Sequence, residues 1–136
     1  MTKKLKISCS KDNLKNIRDF VIRELSNEGL DDVEMNNIVL AVDEVSANLI
    51  IHSHACNPND YFDLIIKKIK TGITFEFVDH GVGFDIQNYE TPSISEIVKM
   101  KKKGGVGLIL VRKIMDDIKF QNDGNKCVCR LFKKID

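Results

Sequence analysis

One segment of the sequence places a carboxylate and an amide four residues apart, with Glu44 followed by Asn48 and then by His52. On a helix this spacing stacks the side chains one turn above each other. An amide oxygen such as that of Asn48 suits Mg²⁺, which takes few protein ligands and binds substrate phosphates. A nearby carboxylate such as Glu44 can deprotonate an attacking hydroxyl. Taken alone, the pattern is more often a polar stripe facing solvent, because short motifs match by accident.

A second segment, at residues 79–85, has the pattern Asp-x-Gly-x-Gly-Phe-Asp. Asp79 ends a strongly apolar run, and its carboxylate could accept a hydrogen bond from an exocyclic amine such as adenine N6. Gly81 and Gly83 would let the backbone approach a flat base closely. The alternative is a turn that ends a strand, for which Asp and Gly are the usual residues.

A third segment, Gly104-Gly105-Val106-Gly107-Leu108, precedes a predicted helix. Exposed N–H groups at a helix start favour phosphate, and lysines come just before them, at Lys99, Lys101, Lys102 and Lys103. A flexible linker with solvated lysines would explain the glycines but not their position at a helix start. Together and in this order, the three segments are the parts of an ATP·Mg²⁺ site built without a P-loop.

The elements that must position these segments follow from periodicity and turn residues. We predict strands at 5–9, 61–70, 73–79, 118–121 and 126–132, and helices from 11 to about 27, from 31 to about 54 and from 107 to about 116. Ser10 is expected to cap the first helix and Gly29 to end it. Residues 81–104 form a long connection with a possible short helix at 93–100, a length typical of a functional lid. The order β-α-α-β-β-lid-α-β-β predicts an α+β two-layer sandwich with a mixed, mostly antiparallel sheet and a mobile ATP lid.

The composition fits a single domain spanning residues 1–136. The net charge of +1 gives no reason to expect nucleic acid or a membrane surface as a partner. The four cysteines include no Cys-x-x-Cys pair, and we expect reduced, mostly buried thiols in a cytoplasmic protein. His54 and His80 could in principle be metal ligands, but no carboxylate or thiol spacing supports a zinc site.

The three segments together resemble the N, G1 and G2 boxes of the GHKL (Bergerat-fold) ATPases. Within that superfamily they are most similar to the small bacterial anti-sigma factor serine kinases. The matching residues are Glu44, Asn48 and His52, then Asp79 to Asp85, then Gly105-Val106-Gly107-Leu108 through Met115-Asp116. The resemblance covers nearly the whole chain, and the boxes come in the family's order and at its separations.

The resemblance implies a role for each of these residues. Glu44 would be the general base, Asn48 the Mg²⁺ ligand and Asp79 the adenine contact. Gly81 and Gly83 would shape the base pocket. The phosphates would be held by the loop that contains Lys103, Gly104, Gly105, Val106, Gly107 and Leu108; Lys103 stands where some relatives place an arginine toward the γ-phosphate.

The resemblance also implies a homodimer that binds a sigma factor and phosphorylates a serine of an anti-anti-sigma (STAS-type) antagonist. The alternative is a nucleotide-responsive binding module that sequesters a partner without transferring phosphate. A detached histidine-kinase domain or a larger GHKL machine would need additional segments. The chain departs from the family in the basic run at 99–103 and in His-Ser-His at 52–54, where His-Ala-Tyr is common. Both departures are expected to affect the lid and partner surfaces more than the chemistry.

Overall fold

A layer of strands and a layer of helices make up the part of the chain that the computed structural model describes, residues 2–80, 106–123 and 126–135. The strands are β1 (Thr2–Ser8), β2 (Tyr61–Ile69), β3 (Gly72–His80), β4 (Asp117–Asp123) and β5 (Lys126–Lys134). The helices are α1 (Asn13–Leu25), α2 (Asp32–Ala47) and α3 (Val106–Ile114), and α2 continues into a π-helical segment, Asn48–Ser53. The predicted α+β sandwich and its element order are confirmed. The predicted lid at 81–104 lies outside the described residues.

The sheet has the strand order β1-β2-β3-β5-β4, so β3 lies at its centre. We predicted a mixed, mostly antiparallel sheet, but all four described pairings are antiparallel. Side chains alternate between the two faces of a strand, so Phe75, Phe77 and Asp79 share one face of β3. The two phenylalanines are fully buried in the core. Asp79 therefore lies on the helix-covered face of the sheet, next to the end of its central strand.

The core lies between this face and the inward sides of the helices. As expected from the periodicity, α1 and α2 with its π-helical extension bury one stripe each: Ile17, Val21 and Leu25, and Ile38, Val42, Val45 and Leu49. Helix α2 packs against both α1 and α3. Arg18 Nη1 also donates a 2.8 Å hydrogen bond to Asp43 Oδ1, which ties α1 to α2. The helix that carries Glu44 is thus fixed by apolar packing on one side and an ion pair on another.

The ends of α1 differ from the predictions. Ser10 does not cap the helix: the N-cap is Asp12, and its side chain makes no capping hydrogen bond. The helix ends at Leu25 rather than near residue 27, and Ser26 Oγ donates to the carbonyl of Arg23 at this end. Gly29 has a φ of 73° and reverses the chain after the helix has already ended.

The second helix was predicted to run to about residue 54 as one element. Its length is confirmed, but its last turn, Asn48–Ser53, is π-helical. None of the described helices has the length and apolar composition required to span a bilayer.

Candidate functional site

Asp79 is the most unusual polar residue in the core. Its side chain is completely buried, and its two carboxylate oxygens have different surroundings. Oδ2 lies 2.8 Å from His54 Nε2, within hydrogen-bonding distance, whereas no described residue donates to the buried Oδ1. A buried acceptor without a donor is rare and energetically unfavourable in folded proteins. The carboxylate is therefore suited to accept a hydrogen bond from a ligand that enters this part of the core.

His54 is the side chain that holds Asp79. Its ring is only 2% exposed, and Nδ1 lies 2.9 Å from Asp60 Oδ2 while Nε2 contacts Asp79. Burial on its own lowers the pKa of His54, but the hydrogen bonds and charges of Asp60 and Asp79 outweigh this effect, so the pKa is raised above its ordinary value of 6.5. The result is a chain of three ionisable groups that runs from the half-exposed Asp60 through the buried His54 to the buried Asp79.

The backbone that presents His54 is strained. The His54 N–H donates to the carbonyl of Leu49, and the Cys56 N–H donates to that of Ile50 at 2.7 Å. Ala55 and Cys56 have φ values of 49° and 58°, in the left-handed region that residues other than glycine rarely adopt. Strained backbone and π-helical turns both occur preferentially at functional sites. Here they bring the end of the second helix back against β3.

Glu44 and Asn48 lie on the same helix, one turn apart, as predicted. Both side chains are half-buried. Burial raises the pKa of Glu44, and the neighbouring charge of Asp43 adds to the increase. A carboxylate with a raised pKa is a better proton acceptor near neutral pH. Asn48 Nδ2 donates to the carbonyl of Glu44 at 2.8 Å, so the amide oxygen faces away from that bond.

The regular spacing of Glu44 and Asn48 along one side of the helix does not continue to His52. Because Asn48–Ser53 is π-helical, hydrogen bonds there run from i to i+5, and the four-residue spacing no longer stacks side chains. His52 is exposed to solvent. His80, the other histidine considered as a ligand, is also exposed and lies 3.4 Å from Asp63 on the other face of β3.

The glycine segments can be placed only in part. Gly81, Gly83, Lys103, Gly104 and Gly105 lie outside the described residues. Val106, Gly107 and Leu108 form the start of α3, one residue earlier than predicted. This helix packs on α2, which carries Glu44 and Asn48. The backbone of α3 is thus placed against the helix that carries the proposed base, and the roles of the glycines stay predictions.

Sequence reasoning missed the pairing of His54 with Asp79. We expected the His-Ser-His variation to affect the lid and partner surfaces, whereas the structure buries His54 against Asp79. The sequence feature that could have suggested a role for His54 was its position just before a turn and six residues before Asp60. The pairing with Asp79 joins residues 25 positions apart, and local periodicity carries no information about such a contact.

Comparisons with known proteins identify the family and the fold. The profile of the histidine kinase-like ATPase domain matches residues 7–131. No curated protein was found to match the chain. Among solved structures, the chain is similar to part of the structure of the RsbU and RsbW domains of Rv1364c from Mycobacterium tuberculosis, with a TM-score of 0.68 and 12% identity. That match covers 98% of this chain and 31% of the other, so the chain spans about a third of that protein's length.

The chain is also similar to a protein in the SiaB–SiaC complex from Pseudomonas aeruginosa, with a TM-score of 0.65 and 10% identity. This match covers 98% of the chain and 89% of the other. At these identities the two structures show a shared fold. The family profile covers most of the sequence. The chain belongs to the histidine kinase-like ATPase domain family.

Proposed function

We propose that the protein is an ATP- and Mg²⁺-dependent protein serine kinase and anti-sigma factor of a partner-switching system. It would phosphorylate a serine of an anti-anti-sigma (STAS-type) antagonist and thereby control the release of a sigma factor. The proposal is supported by two carboxylates in one domain: the buried Asp79, whose Oδ1 has no donor among the described residues, and the half-buried Glu44, whose pKa is raised. The first suits recognition of a base, and the second suits chemistry on a hydroxyl.

The fit to adenine rests on Asp79 Oδ1. This oxygen is buried and has no donor among the described residues, and the exocyclic amine of adenine is a donor of the required kind. Oδ2 is already engaged by His54, so the carboxylate presents one oxygen for the base. A guanine would instead present its 6-oxo group, an acceptor, to the same oxygen. The arrangement therefore favours ATP over GTP.

The fit to Mg²⁺ rests on Asn48. Its amide nitrogen is engaged by the carbonyl of Glu44, which leaves the amide oxygen as the free acceptor. Within the described ranges, no group of three or more His, Cys, Asp or Glu side chains could hold a metal ion. An ion held by one amide, phosphate oxygens and water matches the preferences of Mg²⁺. When bound, the ion would neutralise the charge that develops on the phosphates.

Glu44 would act on the acceptor serine. Its carboxylate takes the proton of the seryl hydroxyl as the oxygen attacks the γ-phosphorus of ATP. The bond to the β,γ-bridging oxygen breaks, and ADP leaves with that oxygen. Positioning and charge neutralisation supply most of the catalysis in such transfers. A general base contributes a further factor of about 10²–10⁴.

The choice of partner rests on the resemblance of the three boxes to the anti-sigma factor kinases. One structural neighbour comes from a two-protein complex, SiaB–SiaC, which supports binding of a second protein. A homodimer and a cytoplasmic location are part of the same proposal.

Phosphate transfer from labelled ATP to a candidate antagonist tests the proposal. Glu44→Gln should reduce transfer by about 10²–10⁴-fold while ATP binding is kept, and Asn48→Ala should lose Mg²⁺-dependent binding as well. Glu34→Gln and Asn37→Ala, which change the same residue types elsewhere on α2, are the matched controls and should behave as wild type. A wild-type protein that binds ATP and its antagonist but transfers no phosphate would be a nucleotide-responsive binding module instead.

A further inference from the structure

Both ring nitrogens of His54 contact carboxylate oxygens. Nδ1 lies 2.9 Å from Asp60 Oδ2, and Nε2 lies 2.8 Å from Asp79 Oδ2. A carboxylate is only an acceptor, and a neutral imidazole carries a single N–H. A neutral ring would therefore direct a nitrogen lone pair at one of the two carboxylates. The doubly protonated ring satisfies both contacts, so the geometry indicates an imidazolium buried between two carboxylates.

This imidazolium determines the chemical character of Asp79. The positive ring lies directly against a carboxylate that has no access to solvent. It also engages Oδ2, so that Oδ1 is the oxygen left for a ligand. An ionised Oδ1 accepts hydrogen bonds and cannot donate one. A protonated carboxyl at the same place could donate to a 6-oxo purine and would no longer separate adenine from hypoxanthine or guanine.

We propose that His54 is a positioning residue for base selection: held as an imidazolium between Asp60 and Asp79, it keeps the free oxygen of Asp79 an obligate acceptor and so restricts the site to bases that carry an exocyclic amine. The inference rests on the proposed nucleotide site at Asp79. It adds to that site a residue that does not touch the nucleotide and acts through the carboxylate.

The groups around the ring are consistent with this assignment. The charges that act on His54 are those of Asp60, from the loop before β2, and Asp79, from β3. Burial lowers the pKa of His54, and the bonds to these carboxylates reverse that effect. Three thiols of the described residues lie near this cluster: Cys9 after β1, which interacts with Asp79 and Asp60, Cys56 in the strained turn, and Cys127 on β5 opposite Asp79.

The thiol of Cys9 does not supply a compensating charge. Burial, followed by the charges of Asp79 and Asp60, raises its pKa to about 12, so it stays neutral at physiological pH. The half-exposed Asp60 can exchange its contact for water, whereas the fully buried Asp79 cannot. Removal of the imidazolium should therefore affect Asp79 more than Asp60. Without the ring, the carboxylate loses the hydrogen bond that fixes Oδ2 and so orients Oδ1.

The test compares affinities for ATP and inosine triphosphate, which differ in the amino or oxo group at position 6, between about pH 5 and 7.5 with Mg²⁺ present. Wild type should prefer ATP by about 10- to 100-fold, the usual share of a hydrogen bond to a charged group, with a ratio that changes little over this range. His54→Leu removes the hydrogen bond to Oδ2 and should show a smaller ratio. His54→Gln restores a donor without the charge and should lie between the two.

Two results would overturn the inference. One is a folded His54→Leu protein whose ratio stays at the wild-type value over the whole pH range. The other is a variant that loses affinity for both nucleotides equally, since this would indicate a role in packing alone. Asp79→Asn separates these failures from failure of the nucleotide site. If Asp79→Asn keeps the wild-type ratio of affinities, Asp79 does not contact the base. If Asp79→Asn changes the ratio but His54→Leu does not, Asp79 contacts the base and His54 plays no part in base selection.

A measurement on the wild-type protein covers the case in which the His54 variants do not fold. Selective ¹⁵N labelling of the three histidines, assigned with His52→Gln and His80→Gln, reports the protonation of each ring nitrogen. We expect both nitrogens of His54 to carry protons at about pH 7, half a unit above the ordinary histidine value. A ring with a single protonated nitrogen under these conditions would overturn the inference.

Discussion

The side-chain amide of Asn48 donates a 2.8 Å hydrogen bond to the main-chain carbonyl of Glu44, so the proposed metal ligand is oriented by the backbone of the proposed base. The main-chain N–H of Asn48 donates to the same carbonyl and to that of Val45, at the point where the α-helix becomes π-helical. The two site residues are thus held by one helical turn. Substitution of either side chain should leave the backbone of the other in place, which makes them suitable for separate tests.

Glu44→Gln should stabilise the protein at neutral pH while it reduces activity. Burial and Asp43 raise the pKa of Glu44, so its ionised form is disfavoured in the folded state. The penalty appears as the pH rises above 4.5, the ordinary value for glutamate, and is absent below it. Thermal unfolding of both proteins at about pH 4 and pH 8 measures the difference. A glutamine variant that is equally or less stable than wild type at the higher pH would contradict the prediction.

Asp79→Asn should weaken ATP binding by about 10- to 100-fold, the range expected for loss of a charged hydrogen bond. The amide keeps the size of the side chain but changes one acceptor to a donor, which should also improve the relative affinity for GTP. Calorimetric titration with ATP and GTP measures both effects. Asp63→Asn, on the other face of the sheet from Asp79, is the matched control. Equal affinities of the wild-type protein for the two nucleotides would show that Asp79 does not select the base.

The stability of the protein should fall as His54 loses its proton. Its pKa is raised in the folded state, so the stabilisation from its charge is fully present below the ordinary value of 6.5 and is lost as the pH rises through the raised value. Denaturant unfolding between about pH 6 and 9 should show this decline in wild type and a smaller one in His54→Gln. His52→Gln, at an exposed position, should retain the wild-type slope. Parallel slopes for wild type and His54→Gln would contradict the prediction.

The four free cysteines should differ in reactivity. Cys9, Cys127 and Cys129 are buried and therefore inaccessible to reagents, and burial also raises the pKa values of Cys9 and Cys129. Cys56 is half-buried in the strained turn. A thiol reagent at about pH 8 should therefore modify Cys56 first in the folded protein and all four after denaturation. Mass spectrometry of the labelled peptides identifies the sites, and rapid labelling of Cys9 would contradict the expected burial.

The sequence was sufficient for the elements and for the faces they bury, because helix and strand periods appear directly in the spacing of residues such as Ile38, Val42 and Val45. It also placed Glu44 and Asn48 on one turn of a helix. It did not predict the π-helical segment, since the i to i+5 pattern depends on tertiary packing. It did not predict the contact of His54 with Asp79, because that contact requires the helix end, the strained turn and the central strand to meet in space.

Gly72→Ala should destabilise the sheet. Gly72 starts β3 after the predicted hairpin turn, and a Cβ there would lie 2.2 Å from the carbonyl oxygen of Lys133 and 2.9 Å from the ring of Phe132. The backbone oxygen belongs to β5, so it can move only if the pairing of β3 with β5 is disturbed. We expect a loss of about 1–3 kcal/mol in the free energy of unfolding, as for other overpacked sites. Because Asp79 lies at the other end of β3, the free energy of ATP binding should change less than the free energy of unfolding. Thr71→Ala, at the exposed neighbouring position, is the matched control and should change stability by less than about 0.5 kcal/mol. Denaturant unfolding of wild type, Gly72→Ala and Thr71→Ala measures these differences. Equal stability of the two variants would show that the sheet tolerates a side chain at position 72.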